Sequence, residues 1–203
     1  MVLADLSPAM LEIARREIAA AGVWDRVDEI AEADARDLAR WPSESFDAVV
    51  ALGPFYHLVT ATDRRRAARE CRRVLGPGGR LFVTVMPRYG WLVQQLLAHG
   101  SAGIPQAEAI LRDGVYRDAP GSLADAYLFR PEEVAPFFEA QGFRTEALLA
   151  SQGFLALVQE QVAELQEQDE AAYAALLDMA AATAADPSIH GTAGHLLYVG
   201  KRV

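Results

Sequence analysis

The sequence has a single cysteine, Cys71, in 203 residues. A lone thiol excludes an intrachain disulfide framework and a multi-cysteine zinc site. It sits in Arg69-Glu70-Cys71-Arg72-Arg73 with no histidine near it, and reads as a half-buried helix cysteine, not a nucleophile. No apolar run approaches the roughly 18 residues that span a bilayer. No basic-then-apolar stretch resembles a secretory signal. The expected compartment is therefore the cytoplasm, with no membrane partner. Positive charge is in short supply: 19 Lys and Arg stand against 28 Asp and Glu, for a net charge of −9. Such a chain repels phosphate backbones on average, which disfavours nucleic acid as a partner. The one basic cluster, Arg64 to Arg66 with Arg69, Arg72 and Arg73, reads as a solvated helix face with Ala67, Ala68, Cys71 and Val74 turned inward. His99, His190 and His195 are scattered without metal-ligand spacing, so no metal is expected.

What is present is ordinary for a folded domain: 52% hydrophobic and 23% charged residues. Short apolar runs alternate with helical segments, which predicts a single α/β domain over residues 1–203 with a mainly parallel sheet. Val2–Asp5 is a first strand. Ser7 and Pro8 start a helix that Gly22 ends. A weak strand spans Glu29–Glu32 and closes at Ala33-Asp34. A strand over Phe46–Leu52 ends at Gly53-Pro54, with Asp47 structural, and Asp63 caps the next helix. Gly76-Pro77-Gly78-Gly79 is a tight turn before the strand Arg80–Val85, whose β-branched character fits burial on both faces.

The rhythm breaks over residues 88–128, where Gly90, Gly100, Gly103, Pro105, Gly114, Pro120 and Gly121 interrupt two short helical stretches. It returns with a helix at Pro131–Ala140 and a strand at Phe143–Leu149. A helical stretch follows over 154–185, its apolar residues Leu155, Val158, Val162, Leu165, Tyr173, Leu176 and Leu177 spaced for core packing. His195–Val203 closes the chain as a strand.

Chemistry gathers at the strand ends. Ligands of open parallel sheets bind at the carboxyl ends of the strands. Here one strand ends in Asp5, one in Ala33-Asp34-Ala35, and one in Leu52-Gly53-Pro54-Phe55-Tyr56-His57-Leu58. In nucleotide-binding α/β sheets an acid at a strand end takes the ribose hydroxyls about 20 residues after a glycine-rich loop. At position 5 the acid leaves no room for that loop.

The order and spacing of these pieces resemble the class I S-adenosylmethionine-dependent methyltransferases. The resemblance is carried by Asp5-Leu6-Ser7-Pro8-Ala9-Met10-Leu11, Ala33 to Leu38, Ser45 to Leu58 and Arg73 to Phe82. It covers residues 1 to about 86, and the tail from Asp186 to Gly200 looks similar. It implies a Rossmann-like sheet of order 3-2-1-4-5-7-6 with an antiparallel last strand and the first strand missing. It implies S-adenosylmethionine as cofactor. Asp5 takes the ribose and Asp34 the adenine amino group, while the backbone of Ala35 meets the ring edge. Leu6 and Met10 give the adenine apolar contact, and Leu52 with Gly53 approaches the sulfonium end.

The family's glycine-rich loop after its first strand has no counterpart here. Gly76 to Gly79 follows a helix and precedes a strand, the wrong order for a cradle. A gap between the strands ending at Asp5 and Leu52 leaves two edges unpaired. Three remedies are expected: a longer natural reading frame, direct pairing of the two strands, or another chain (a second copy or a partner) completing the sheet.

The reading is a methyltransferase for a small-molecule acceptor, with cap insertions at about 88–128 and 154–185 and an aromatic pocket of Tyr89, Trp91, Tyr116, Tyr127 and Phe129. His57 and Tyr56, beside the strand end, are the candidate catalytic residues. The rival is a non-catalytic, truncated methyltransferase-like module acting by dimerisation or partner binding. A nicotinamide-dependent oxidoreductase requires the same absent loop and accounts less well for Asp34.

Overall fold

The computed structural model describes residues 1–117 and 125–203. Pro120 and Gly121, part of the expected break, lie outside the described residues. The chain opens with β1 (Val2–Asp5) and α1 (Pro8–Ala21). Ser7 caps α1 by accepting from the Met10 N–H, Pro8 occupies its first turn, and Gly22 closes it at φ 66°, a conformation that favours glycine. Then come β2 (Glu29–Glu32), β3 (Phe46–Ala51), the short α2 (Pro54–His57), α3 (Ala61–Val74) and β4 (Leu75–Val85). The interrupted region holds α4 (Arg88–His99), α5 (Ile104–Asp113) and the small pair β5 (Val115–Tyr116) and β6 (Ala126–Tyr127). The last part runs through α6 (Pro131–Glu139), β7 (Phe143–Ala150), α7 (Gln159–Gln168), α8 (Glu170–Thr183), α9 (Pro187–His190) and β8 (Leu196–Arg202).

The sheet is divided. β1 and β2 pair in parallel with each other, and a second sheet has the order β3-β4-β8-β7. β3 and β4 are parallel, and β8 runs antiparallel to both its neighbours. Written as β2-β1, a break, then β3-β4-β8-β7, this is the family order with its first strand left out. β1 and β3 do not pair directly among the described residues. On β3, Val50 is 62% exposed and Leu52, just past its end, 57%, so one face of this strand is open.

The core lies on one face of the larger sheet. Leu81, Val83 and Val85 of β4 are fully buried there with Tyr198 of β8, Ala67, Ala68 and Cys71 of α3, and Val134 and Phe138 of α6. Phe138 stacks on Tyr198 with ring centroids 4.4 Å apart. Phe82 and Thr84, on the opposite face, are only part-buried. The expected two-sided burial of this strand is therefore met on one face only. Similarly, the 154–185 stretch packs less tightly than its periodicity predicts. Leu155 is buried, whereas Leu177 is exposed and, with Val162 and Tyr173, lines a cavity of about 540 Å³ under α7 and α8.

Gly76 to Gly79 form no separate turn. They are the first residues of β4, where the ladder with β3 shifts register between Phe46 and Ala48. A side chain on Gly79 would lie 2.9 Å from the Asp47 carbonyl, so the bulge needs glycine for its close backbone approach.

α3 joins the two sheets. Its Cys71 side packs into the larger core, while Val74 packs with Ala31 of β2, Trp41 and Phe46. The Arg73 guanidinium donates to the carbonyls of Leu38 and Trp41 and to Glu70, and Glu70 accepts from the Leu38 N–H. The Glu44 N–H donates to the Arg73 carbonyl. Two sequence expectations for this helix are corrected. Its cap is Thr60, which accepts from the Asp63 N–H; Asp63 lies in the first turn, where a carboxylate favours the helix dipole. Arg64 is not on the solvated face. It is buried, with its guanidinium 3.5 Å over the Tyr127 ring and Nη1 donating to the Leu58 and Val59 carbonyls. Arg73→Ala is expected to lower stability by about 2 kcal/mol, the scale of lost charge-assisted hydrogen bonds. Arg69→Ala, on the exposed side of the same turn, should stay within about 0.5 kcal/mol. Urea unfolding of both variants checks the contrast.

Candidate functional site

Parallel pairing brings the first two acids together. The Ala33 N–H donates to the Asp5 carbonyl, so Asp5 closes β1 just where β2 runs into Asp34. One Asp5 oxygen accepts from the Ser7 N–H at 2.8 Å, a tight turn that orients the carboxylate at the entry to α1. Asp5 is exposed, and so are its apolar neighbours Leu6 and Met10, at 62% and 50%. Large side chains exposed beside a strand-end acid are what an apolar ring would cover.

Asp34 is engaged differently. It accepts from the Arg36 backbone N–H at 2.8 Å and takes the Arg36 side chain through Nε and Nη2. The Arg36 guanidinium holds the Asp34 carboxyl below the usual carboxylate range. The same guanidinium reaches Asp63 in the first turn of α3 at 3.4 Å. Ala35, between the two, packs against the main core alongside Leu58. Asp5, Leu6, Met10, Asp34 and Ala35 thus sit at the carboxyl end of the small sheet, and Arg36 ties that end to the start of α3.

The carboxyl end of β3 supplies the third wall. Leu52 and Gly53 lead into α2, where Phe55 is fully buried and anchors the turn. Tyr56 turns back so that its hydroxyl donates to the Leu52 carbonyl at 3.3 Å and lies 3.9 Å from where a Gly53 side chain would begin. Burial pushes the Tyr56 phenol pKa up. The His57 ring packs on Tyr56 at 4.7 Å between centroids, with Nδ1 3.5 Å from the Asp125 carbonyl.

Sequence reasoning missed one member of this group. His195, at the start of β8, lies on Tyr56 with centroids 5.8 Å apart. It is part-buried, and neither of its ring nitrogens has a hydrogen-bond partner among the described residues. Burial lowers its pKa from 6.5. The antiparallel β8 brings it there, because β8 begins beside Val85 where β4 ends; a spacing of more than a hundred residues carries no local signal of this.

The aromatic residues expected to form one pocket divide. Trp91 and Tyr116 pack with Tyr56 around Met86 and Ile110, whereas Tyr127 and Phe129 join the main core under Arg64. Tyr89 is 42% exposed. Cys71 is buried more deeply than expected, and burial pushes its thiol pKa up to about 12, which removes it from thiolate chemistry. Gly76 to Gly79 lie at the opposite end of the strands from Asp5 and Gly53. Among the described residues no group of three or more His, Cys, Asp or Glu is arranged to hold a metal ion, and no helix is long and apolar enough to cross a membrane.

Comparison with known proteins agrees with this arrangement. Residues 1–83 match the family model described as a methyltransferase domain. The ubiquinone/menaquinone biosynthesis C-methyltransferase UbiE of Hahella chejuensis is 42% identical over 84 residues, covering 41% of this chain and 31% of that protein. The demethylmenaquinone methyltransferase of Thermus thermophilus is 42% identical over 87 residues, covering 43% and 36%. A longer match, to UbiE of Edwardsiella ictaluri, is 30% identical over 137 residues and covers 66% of this chain and 51% of that protein. The chain thus spans about one third of the length of most of the curated relatives it matches.

Among solved structures, an S-adenosylmethionine-dependent methyltransferase from Methanosarcina mazei aligns over 100% of this chain and 81% of its own, with TM-score 0.62 and 14% identity. One from Mesorhizobium loti aligns over 99% and 79%, with TM-score 0.59 and 18% identity. These likenesses carry the fold, and the sequence match carries the strand ends. With its divided β2-β1, β3-β4-β8-β7 order the chain shares the fold of S-adenosylmethionine-dependent methyltransferases of known structure, and its residues 1–83 match the methyltransferase-domain model.

Proposed function

We propose that this chain transfers a methyl group from S-adenosylmethionine to a small-molecule acceptor. The observation that supports the reading is that Asp5, Asp34 and the Leu52-Gly53 turn each follow the carboxyl end of a strand, β1, β2 and β3 in turn, with Arg36 tied to the start of α3 and Ala35 and Leu58 packed on the same core. The Asp5 carboxylate has an oxygen free to accept both ribose hydroxyls. Asp34 meets the adenine amino group, and the Ala35 backbone meets the ring edge. Leu6 and Met10 cover the ring. Gly53 lets the backbone come close to the sulfonium, and the cofactor, when bound, supplies an electrophilic methyl carbon.

The acceptor side is the Tyr56, His57 and His195 cluster beside α4 and α5, with 154–185 as a second cap. Methyl transfer needs alignment and exclusion of water more than a dense acid–base constellation, and an aromatic wall with few charges suits that. The relatives named as quinone methyltransferases support an aromatic, uncharged acceptor. A neutral imidazole next to it suits removal of a proton from a phenol-like group.

One observation favours a second reading, in which the chain acts through a protein partner. β1 and β3 both present unpaired edges among the described residues, with Val50 and Leu52 exposed beside one of them. Calorimetry with S-adenosylhomocysteine separates the two. Binding tighter than roughly 100 μM, weakened at least tenfold by Asp5→Ala, supports the enzyme; no heat at millimolar ligand supports the partner reading.

The acceptor side has its own check. An NMR titration should place the His195 imidazole midpoint below 6.5, and a midpoint at or above 6.5 counts against a neutral base. Because its folded pKa is the lower one, the stability this group contributes is present above pH 6.5 and is lost as pH falls toward that midpoint.

A further inference from the structure

Arg36 stands between two carboxylates. Its Nε is 3.0 Å from each Asp34 oxygen and its Nη2 is 2.5 Å from Oδ2, while its own backbone N–H takes Oδ1 at 2.8 Å. Its remaining terminal nitrogen, Nη1, points the other way and lies 3.4 Å from Asp63 Oδ1. A carboxylate offers about four acceptor directions, and Arg36 takes up those of Asp34. Asp63 is less committed. Its Oδ2 accepts from the Thr60 hydroxyl, and among the described residues its Oδ1 has only the long contact to Arg36.

We propose that Arg36 competes with the base for Asp34 in the nucleoside subsite: it occupies Asp34 and steps toward Asp63 when an exocyclic amino group takes its place. The proposal rests on the reading of Asp5 and Asp34 as the nucleoside-binding acids. The chemistry is an exchange of donors. A neutral amino group is a weaker donor to a carboxylate than a guanidinium, so displacing Arg36 into water opposes binding. Asp63 removes much of that opposition, because the guanidinium keeps an anionic partner after a side-chain rotation and no backbone movement. Only a base edge that donates a hydrogen bond at this point can replace the guanidinium. A base presenting a carbonyl there meets the Asp34 oxygens as acceptor against acceptor. Arg36 thus weakens those ligands that take its place on Asp34, and amino-bearing bases alone do so. The pair is about two-thirds shielded, with side-chain exposures of 38% for Arg36, 28% for Asp34 and 30% for Asp63.

The test is calorimetric binding of adenosine, inosine and S-adenosylhomocysteine to the full chain and three variants. Arg36→Ala frees Asp34, and adenosine and S-adenosylhomocysteine should bind about 3- to 5-fold tighter, the scale of a part-exposed ion pair. Inosine should gain nothing. Asp63→Asn removes the second anchor and should weaken both adenine ligands by a similar factor while keeping an acceptor for Thr60. The double variant should bind like Arg36→Ala alone, since Asp63 acts only through Arg36. An unchanged adenosine affinity in Arg36→Ala overturns the proposal while the nucleoside reading stands. So does an equal gain for inosine, which would mean a general opening of the site, or an Asp63→Asn effect that persists without Arg36. Absence of binding by the parent chain and by every variant overturns the nucleoside reading itself, and this proposal with it.

Discussion

The placement of every candidate ligand group depends on α3 bridging a sheet that its own strands do not connect. Hydrogen bonds between strands ordinarily fix how far apart strand ends lie. Among the described residues no ladder runs between β1 and β3, and α3 does that work with side chains. Val74 packs on the small sheet and Cys71 on the large one, while Arg73 and Glu70 grip the loop that connects them. Arginine suits this task, since its planar fork reaches two carbonyls and a carboxylate at once and stays charged at any working pH. At the other end of the helix, Asp63 meets Arg36. The same helix therefore holds the two halves of the site at the top and the loop at the bottom.

Both acids at the carboxyl end of the small sheet already have local donors. Asp5 accepts from the Ser7 N–H and Asp34 from the Arg36 N–H, each across a two-residue turn. These bonds could be taken as evidence that the carboxylates merely cap their own loops. Their geometry says more than that. A backbone donor at one oxygen aims the carboxylate and leaves its other side for a ligand, as at Asp5. Only at Asp34 is the second side also filled, and there the occupant is a flexible side chain.

Much of the architecture was legible because it rests on local chemistry. Ser7-Pro8 and Gly22 mark the bounds of α1 through capping and a left-handed turn. The order of strand ends, read through the family resemblance, gave the sheet sequence including the position of its break. What was not legible depends on contacts distant in sequence. Arg64 reads as a surface residue in a run of arginines, and is buried because Tyr127 comes to lie under it from the far side of the 88–128 segment. His195 appears isolated until β8 turns antiparallel and delivers it to Tyr56. The Gly76 to Gly79 run has the composition of a turn, yet β3 pairs with it through a bulge. The periodicity of 154–185 correctly predicts helices but overstates their burial, because a helical period shows which face is apolar and not how closely it is covered.

The division of the sheet also bears on how the chain unfolds. A lone pair of short strands is marginal in water, so β1 and β2 draw their stability from α1 and from the grip of α3. Parts held mainly by side-chain contacts open as their own cooperative units at a lower free energy than the main core. The acids of the proposed nucleoside subsite ride on such a unit, while the aromatic cluster rides on the well-packed four-stranded sheet. A ligand bridging the two would be retained in proportion to how firmly it fastens the looser unit to the firmer one. Its binding would be felt as a rise in the protein's resistance to local opening, greatest at β1 and β2.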